Sequence, residues 1–191
     1  AKAEIQIALL DIMGKATGQP AYNFLGGLVR SKVEIIHSLG LMDVKTAFEE
    51  AAKAVNEGIR TIKIKGGLDP QRDIELLRKL DSTYQGRVEL VLDGNQSYRS
   101  VAEAIGVIKR IEDCNVAYVE QPVAGIRSLA SIRAKVSIPI MADESVWTHF
   151  DALSLIQVDA VDYISIYITK AGGLLEAKKV ADVAEAGRLL C

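Results

Sequence analysis

Residues 61–93 read TIKIKGGLDPQRDIELLRKLDSTYQGRVELVLD. Thr61–Lys65 alternates β-branched residues with lysine, the period-two pattern of a strand. A Gly-Gly turn follows. Asp69-Pro70 then opens an amphipathic stretch that runs to Tyr84, with Pro70 where a first helical turn accepts proline. Val88–Asp93 is a second apolar run, and it ends on an acid. Strand, helix, strand is a βαβ unit, and it makes the two strands parallel neighbours.

The same unit repeats in both directions. Strands are predicted at Val33–Ser38, Thr61–Lys65, Val88–Asp93, Ala117–Glu120, Ile138–Asp143 and Asp162–Ile168. Helices are predicted at Val44–Asn56, Pro70–Tyr84, Ser100–Glu112, Ile126–Lys135, His149–Gln157 and Leu174–Ala186, with Gly58 where a helix should stop. Residues 1–30 read as a helix and a Gly26-Gly27 turn leading into the repeats, and residues 31–191 as one domain, a partial (β/α) barrel.

The fold class is α/β, a TIM-type (β/α)8 barrel that is incomplete here, with six βα units behind a linking helix. A full barrel takes about 250 residues, so two units are expected outside this stretch. An open doubly wound sheet uses the same units and is the structural rival. Ala1 opens inside a helical pattern, and Val180–Cys191 ends without a stop signal, as expected of part of a longer chain.

Bulk composition narrows the function classes. The 191 residues are 49% hydrophobic and 25% charged, with a net charge of −2 and both signs mixed throughout. That excludes a basic footprint for nucleic acid or an anionic membrane. No apolar run reaches the length of a membrane span, and no signal peptide opens the chain. Cys114 and Cys191 are too few and too far apart for a disulfide framework, so a reducing cytoplasm is the default.

The informative pattern is where reactive side chains fall. Successive strands are expected to end at Lys65, Asp93, Glu120 and Asp143, and the sixth to carry Tyr167 near its end. The gaps of 28, 27, 23 and 24 residues are each about one βα unit. In a barrel all C-terminal strand ends meet on one face, where active sites lie. Three carboxylates brought together repel, so a cation is needed between them or one must hold a proton. All-oxygen ligands suit Mg²⁺, with Mn²⁺ as a substitute, and no His or Cys cluster competes. Singly, each acid could equally be a helix N-cap or a loop residue, and Asp93-Gly94-Asn95-Gln96 is also good turn chemistry.

Lys63 and Lys65 lie two apart on a strand and therefore share a face. The positive charge of Lys63 is expected to press on Lys65 and favour its neutral amine, a usable base. Taken alone, the pair would read as solvated lysines at a strand end. Beside three carboxylates it reads as an acid/base pair. A metal-bound substrate carboxylate would stabilise the charge left when its α-proton departs to Lys65.

At these residues the chain resembles the enolase superfamily, in particular the mandelate racemase and muconate lactonising enzyme group. The matching segments are Ala8-Leu9-Leu10-Asp11-Ile12-Met13-Gly14-Lys15 with Gly18 and Pro20, Leu25-Gly26-Gly27, Lys63-Ile64-Lys65-Gly66 and Asp93-Gly94-Asn95. They continue with Val119-Glu120-Gln121-Pro122, Ala142-Asp143-Glu144-Ser145 and Lys170-Ala171-Gly172-Gly173. The Lys-x-Lys and Asp-Glu-Ser motifs look closer to the muconate lactonising subgroup. The resemblance implies metal ligands at Asp93, Glu120 and Asp143, an acid/base at Lys65 and support from Lys63. It also implies a capping domain over the barrel mouth and a small carboxylate substrate. The intact protein is expected to be a homo-oligomer.

One departure stands out. Members of that subgroup carry a second catalytic lysine on strand six, and alignment on Gly172-Gly173 puts Tyr167 there, with Lys170 three positions later. Tyr167 and Lys170 are both candidates for the second proton-transfer group. Asn95, Ser38 and His37 are candidate substrate contacts; His149 reads as a helix-start residue. Racemisation, epimerisation or cycloisomerisation leads the expected outcomes. A dehydratase that eliminates water in the syn sense follows because of Tyr167, and a catalytically silent barrel fragment is the non-enzymatic alternative.

Overall fold

The computed structural model describes residues 1–191. Helix α1 (Lys2–Thr17) ends at Gly18, whose left-handed φ of 66° closes it, and a short 3-10 turn (Ala21–Leu25) follows. Strand and helix then alternate: β1 (Ile36–Leu39), α2 (Val44–Asn56), β2 (Thr61–Lys65), α3 (Pro70–Tyr84), β3 (Glu89–Asp93) and α4 (Val101–Lys109). The alternation continues through β4 (Val116–Glu120), α5 (Ile126–Arg133), β5 (Ile140–Ala142), α6 (His149–Gln157), β6 (Tyr163–Ile164), a one-turn α7 (Ile168–Ala171) and α8 (Leu174–Ala186). Four of the helices, α2, α3, α4 and α6, start on side-chain caps that the sequence supplies. Asp43, Asp69 and Ser100 each accept a backbone N–H of the following turn, and Thr148 with Asp151 forms a reciprocal capping box.

All strand pairs are parallel, in the order β1-β2-β3-β4-β5-β6. A doubly wound sheet would reverse its strand order at a switch point. Monotonic order is the order of a barrel wall, and Leu190 already bridges Tyr163 in parallel beyond β6.

The two faces of this wall differ. Ile62, Ile64, Leu90, Leu92, Val119, Ile140 and Ile164 face the helices and are fully buried. They pack with Leu76, Leu77 and Leu80 of α3, Ile108 of α4, Leu129 and Ile132 of α5 and Leu155 of α6. The other face carries Lys63, Lys65, Asp93, Tyr118, Glu120 and Met141 around a cavity.

Several boundaries differ from the sequence expectation. β1 begins at Ile36, not Val33, because the preceding residues are exposed at the sheet edge with no neighbouring strand. β5 stops at Ala142, so Asp143 sits one residue past the strand. β6 holds only two residues, and Tyr167 lies beyond it as the residue before α7.

Leu77 is fully buried in this core, whereas Leu175 of α8 keeps 43% of its surface exposed. Leu77→Ala is expected to lower unfolding free energy by about 2–5 kcal/mol. Leu175→Ala should stay within about 0.5 kcal/mol. Urea denaturation of both variants measures the contrast; equal losses would mean that the helix-facing layer is not the core.

Candidate active site

The site is built from strand ends. β2 and β3 pair in register, with Lys63 opposite Val91 and Lys65 opposite Asp93. Asp93 pairs in turn with Glu120 on β4. That last pairing depends on an irregularity. Leu90 faces Val116, but Val91 faces Tyr118, so β4 carries one extra residue at Ala117. The side-chain period of a strand is two, so a regular pleat running on from Val116 through Ala117 would turn Glu120 toward the helices. The bulge aims Tyr118 and Glu120 into the cavity.

Asp93 is 0% exposed and Glu120 3%. Two carboxylates buried this deeply need a counter-charge. Lys63 supplies it, with its Nζ 2.8 Å from Asp93 Oδ2 and 2.7 Å from Glu120 Oε2. Burial opposes the charge on Lys63, but the two carboxylates outweigh it and hold the ammonium above the ordinary lysine range. Glu120 moves up from the ordinary carboxylate range, because burial and the nearby Asp93 outweigh its bond from Lys63. The expected role of Lys63 is therefore corrected: its charge is committed to two acids, not simply pressed against Lys65.

Lys65 points into the same space. Its Nζ donates to Asp93 Oδ2 at 2.6 Å and to Asn95 Oδ1 at 2.6 Å. Asn95 is oriented from behind, since its amide nitrogen donates to Glu144 Oε1 at 3.0 Å, leaving the carbonyl oxygen for Lys65. Asn95 holds a left-handed φ of 40°, which suits the turn chemistry of its motif.

Asp143 lies across the cavity, in the loop after β5. Its Oδ1 accepts from Lys170 Nζ, which also donates to the Asp143 carbonyl at 2.7 Å and the Ser165 carbonyl at 3.2 Å. Lys170, not Tyr167, is thus the group that reaches an acidic partner. Tyr167 lines the same wall with 60% of its surface exposed, its ring centroid 5.8 Å from Lys170 Nζ. Together these side chains border an open cavity of about 810 Å³, wide enough for a small molecule.

Two expected contacts fall away or weaken. His37 pairs with Ile62, on the helix-facing side, and its Nε2 meets Glu50 Oε1 of α2 at 3.0 Å. Alternation along β1 turns it away from the cavity. Ser38 lies beside Lys63 on the correct face but is exposed at the edge strand and does not border the cavity. Sequence reading missed Gln121, which is 0% exposed directly behind Glu120. The only available signal was its place between Glu120 and Pro122.

The carboxylates fit a hard divalent cation in donor chemistry, being all oxygen and partly buried. Their charge is met here by lysine ammonium groups, and in this lysine-paired arrangement no three His, Cys, Asp or Glu side chains stand close enough together to hold a metal ion.

A family model described as enolase C-terminal domain-like matches residues 46–191. The chain belongs to that family. The resemblance drawn from the motifs is therefore borne out, and with it the barrel reading. The chain is 31% identical over 193 residues to N-succinyl-L-Arg/Lys racemase of Bacillus cereus, covering 100% of this chain and 52% of that protein. It is 32% identical over 195 residues to muconate cycloisomerase 1 of Rhodococcus opacus, covering 100% and 52%. The solved structure of N-succinyl Arg/Lys racemase from Bacillus cereus superposes with a TM-score of 0.95 at 30% identity, covering 98% of this chain and 52% of that one. A dipeptide epimerase from Cytophaga hutchinsonii, complexed with Mg and the dipeptide D-Ala-L-Val, gives 0.93 at 30% identity, covering 98% and 51%. The chain thus spans about half the length of the relatives it matches. No helix is long and apolar enough to cross a membrane.

Lys63→Met leaves two buried acids without their ammonium. The expected loss is about 3–5 kcal/mol of stability in chelator-treated protein, read by urea denaturation. Adding Glu120→Gln should recover part of it by removing the uncompensated charge; no recovery would mean that Lys63 acts through packing alone.

Proposed function

We propose that this site removes the α-proton of a small carboxylate substrate, with Lys65 as the base. The observation that carries the reading is that Lys65 meets Asp93 at 2.6 Å on the wall of the cavity that Glu120 and Asp143 also line. An amine and three acids then share one substrate-sized space. Asp93, Glu120 and Asp143 would hold Mg²⁺, or Mn²⁺ in its place, and the cation would join Lys63 in compensating their charge and stand in for Lys170 at Asp143. When bound, it supplies positive charge against the substrate carboxylate, where charge builds as the proton leaves.

The chain's own residues do the rest. Lys65 Nζ accepts the proton, and Asn95 Oδ1 with Asp93 fixes the direction from which it approaches. Lys63, in contact with both carboxylates, holds Asp93 and Glu120 in place. Reprotonation of the α-carbon gives racemisation or epimerisation. Bond formation or cleavage at the neighbouring carbon gives cycloisomerisation. The racemase, epimerase and cycloisomerase names among the relatives support an isomerase outcome. The bound Mg and dipeptide of one neighbour support both the cation and a small-molecule substrate.

One observation favours a second reading. Lys170 spends three donor contacts on Asp143 and Ser165, and Tyr167 is the exposed proton carrier beside it. With Lys65 as the one amine assigned to proton transfer, syn-elimination of water from a hydroxy acid is the alternative. Lys65 would take the α-proton and pass it to the departing hydroxyl on the same face, so that the C–O bond breaks, the double bond forms and water leaves.

The shared first step is tested by ¹H NMR in heavy water with the protein at its full natural length and added Mg²⁺. N-succinyl-L-Arg and L-Ala-L-Glu serve as probes. Deuterium should enter at the α-carbon, and Lys65→Ala should slow entry by at least about 10²-fold. Exchange that survives in Lys65→Ala would sink the base assignment. A wild-type protein that exchanges neither probe nor a wider panel of amino acid derivatives and hydroxy acids would favour the silent-barrel alternative.

A further inference from the structure

Gln121 uses every polar group it has, and each partner belongs to a strand end of the site. Its backbone N–H donates to the Met141 carbonyl of β5 at 2.8 Å, and its carbonyl accepts from Gln96 N in the turn after β3 at 2.7 Å. Its side-chain Oε1 accepts from Asp143 N at 2.9 Å and Ser145 N at 3.1 Å. Its Nε2 donates to Ser145 Oγ at 2.8 Å and to the Val123 carbonyl at 2.9 Å. The residue is 0% exposed and holds φ at 36°, a left-handed conformation disfavoured for a non-glycine residue. Backbone strain of this kind persists only where the surroundings over-determine it, and it clusters at functional sites.

We propose that Gln121 is the positioning residue that sets the three carboxylates relative to one another. It follows Glu120 directly, carries the Asp143 backbone on its amide oxygen, and holds the turn that begins at Asp93 through its own carbonyl. Asp143 lies past the end of β5, so no strand pairing fixes it there. The Gln121 amide does this work instead. Glutamine is the residue type required, because the job needs two acceptor contacts and two donor contacts on one planar group. Glutamate lacks the donors and would bury a further charge beside Glu120.

The inference rests on the proposed use of these carboxylates as cation ligands, and its test separates the two. Mg²⁺ affinity of the full-length protein is measured by titration calorimetry, independently of turnover, for wild type, Gln121→Met, Gln121→Glu and Asp162→Asn. Asp162 accepts from Arg133 Nε and Ile140 N at the opposite end of β5, so its variant controls for destabilisation without touching the site. Outer-shell substitutions of this kind weaken metal binding by about 10–100-fold. Gln121→Met is expected to fall in that range and Gln121→Glu to fall at least about threefold, while Asp162→Asn keeps wild-type affinity despite a lower Tm. Wild-type protein that binds no Mg²⁺ would overturn the cation reading on which this proposal stands. Wild-type binding with unchanged affinity in Gln121→Met would overturn the positioning role alone. If Gln121→Met does not fold, unchanged affinity in Gln121→Glu does the same.

Discussion

Asp93 and Glu120 are carried into the interior on adjacent strands, where a carboxylate charge is costly without a partner. Lys63 stands between them at 2.8 Å and 2.7 Å, and the rest of the site is arranged around that contact. The isolated Coulomb attraction at such distances is large in a low-dielectric interior, but desolvation of three ions consumes much of it. A cluster like this is weak as a source of stability and costly to break. Its persistence in a packed wall of leucine and isoleucine is better explained by what the charges do than by what they add to folding.

Division of labour between the two faces of the sheet makes the site possible. The helix-facing side is a dry layer of fully buried aliphatic side chains, which fixes the strands to their helices. Reactive groups on the other side can then be held closely without being asked to stabilise the fold. Parallel pairing sends every C-terminal strand end to the same rim, so residues about one βα unit apart in the chain become neighbours in space.

The loops past those ends finish the positioning. Asn95 is turned by Glu144 so that its carbonyl oxygen faces Lys65. Asp143 is held through its backbone by Gln121 and through its carboxylate by Lys170. In each case a neighbouring side chain fixes the orientation of a residue that borders the cavity. Family membership and the roughly half-length match to racemases, epimerases and cycloisomerases agree with a wall of this kind carrying proton-transfer groups.

Local patterning determined much of this protein directly. The ranges of α2, β2, α3, α6 and α8 follow from apolar periodicity, caps and Pro70, because those signals act over a few residues and need no distant partner. Lys65, Asp93, Glu120 and Asp143 could be nominated from spacing alone, because a βα unit has a nearly constant length. Only the tertiary structure decided which way several side chains point. The extra residue at Ala117 turns Glu120 inward, edge exposure trims β1, and alternation sends His37 to Glu50. The short β6 leaves Lys170, rather than Tyr167, in contact with Asp143. Gln121 stood out in the sequence only by its place between Glu120 and Pro122, since its hydrogen-bond partners come from three separate segments. Strand direction is a two-residue question that one bulge can invert, and a hydrogen bond between distant segments exists only once the sheet has closed around it.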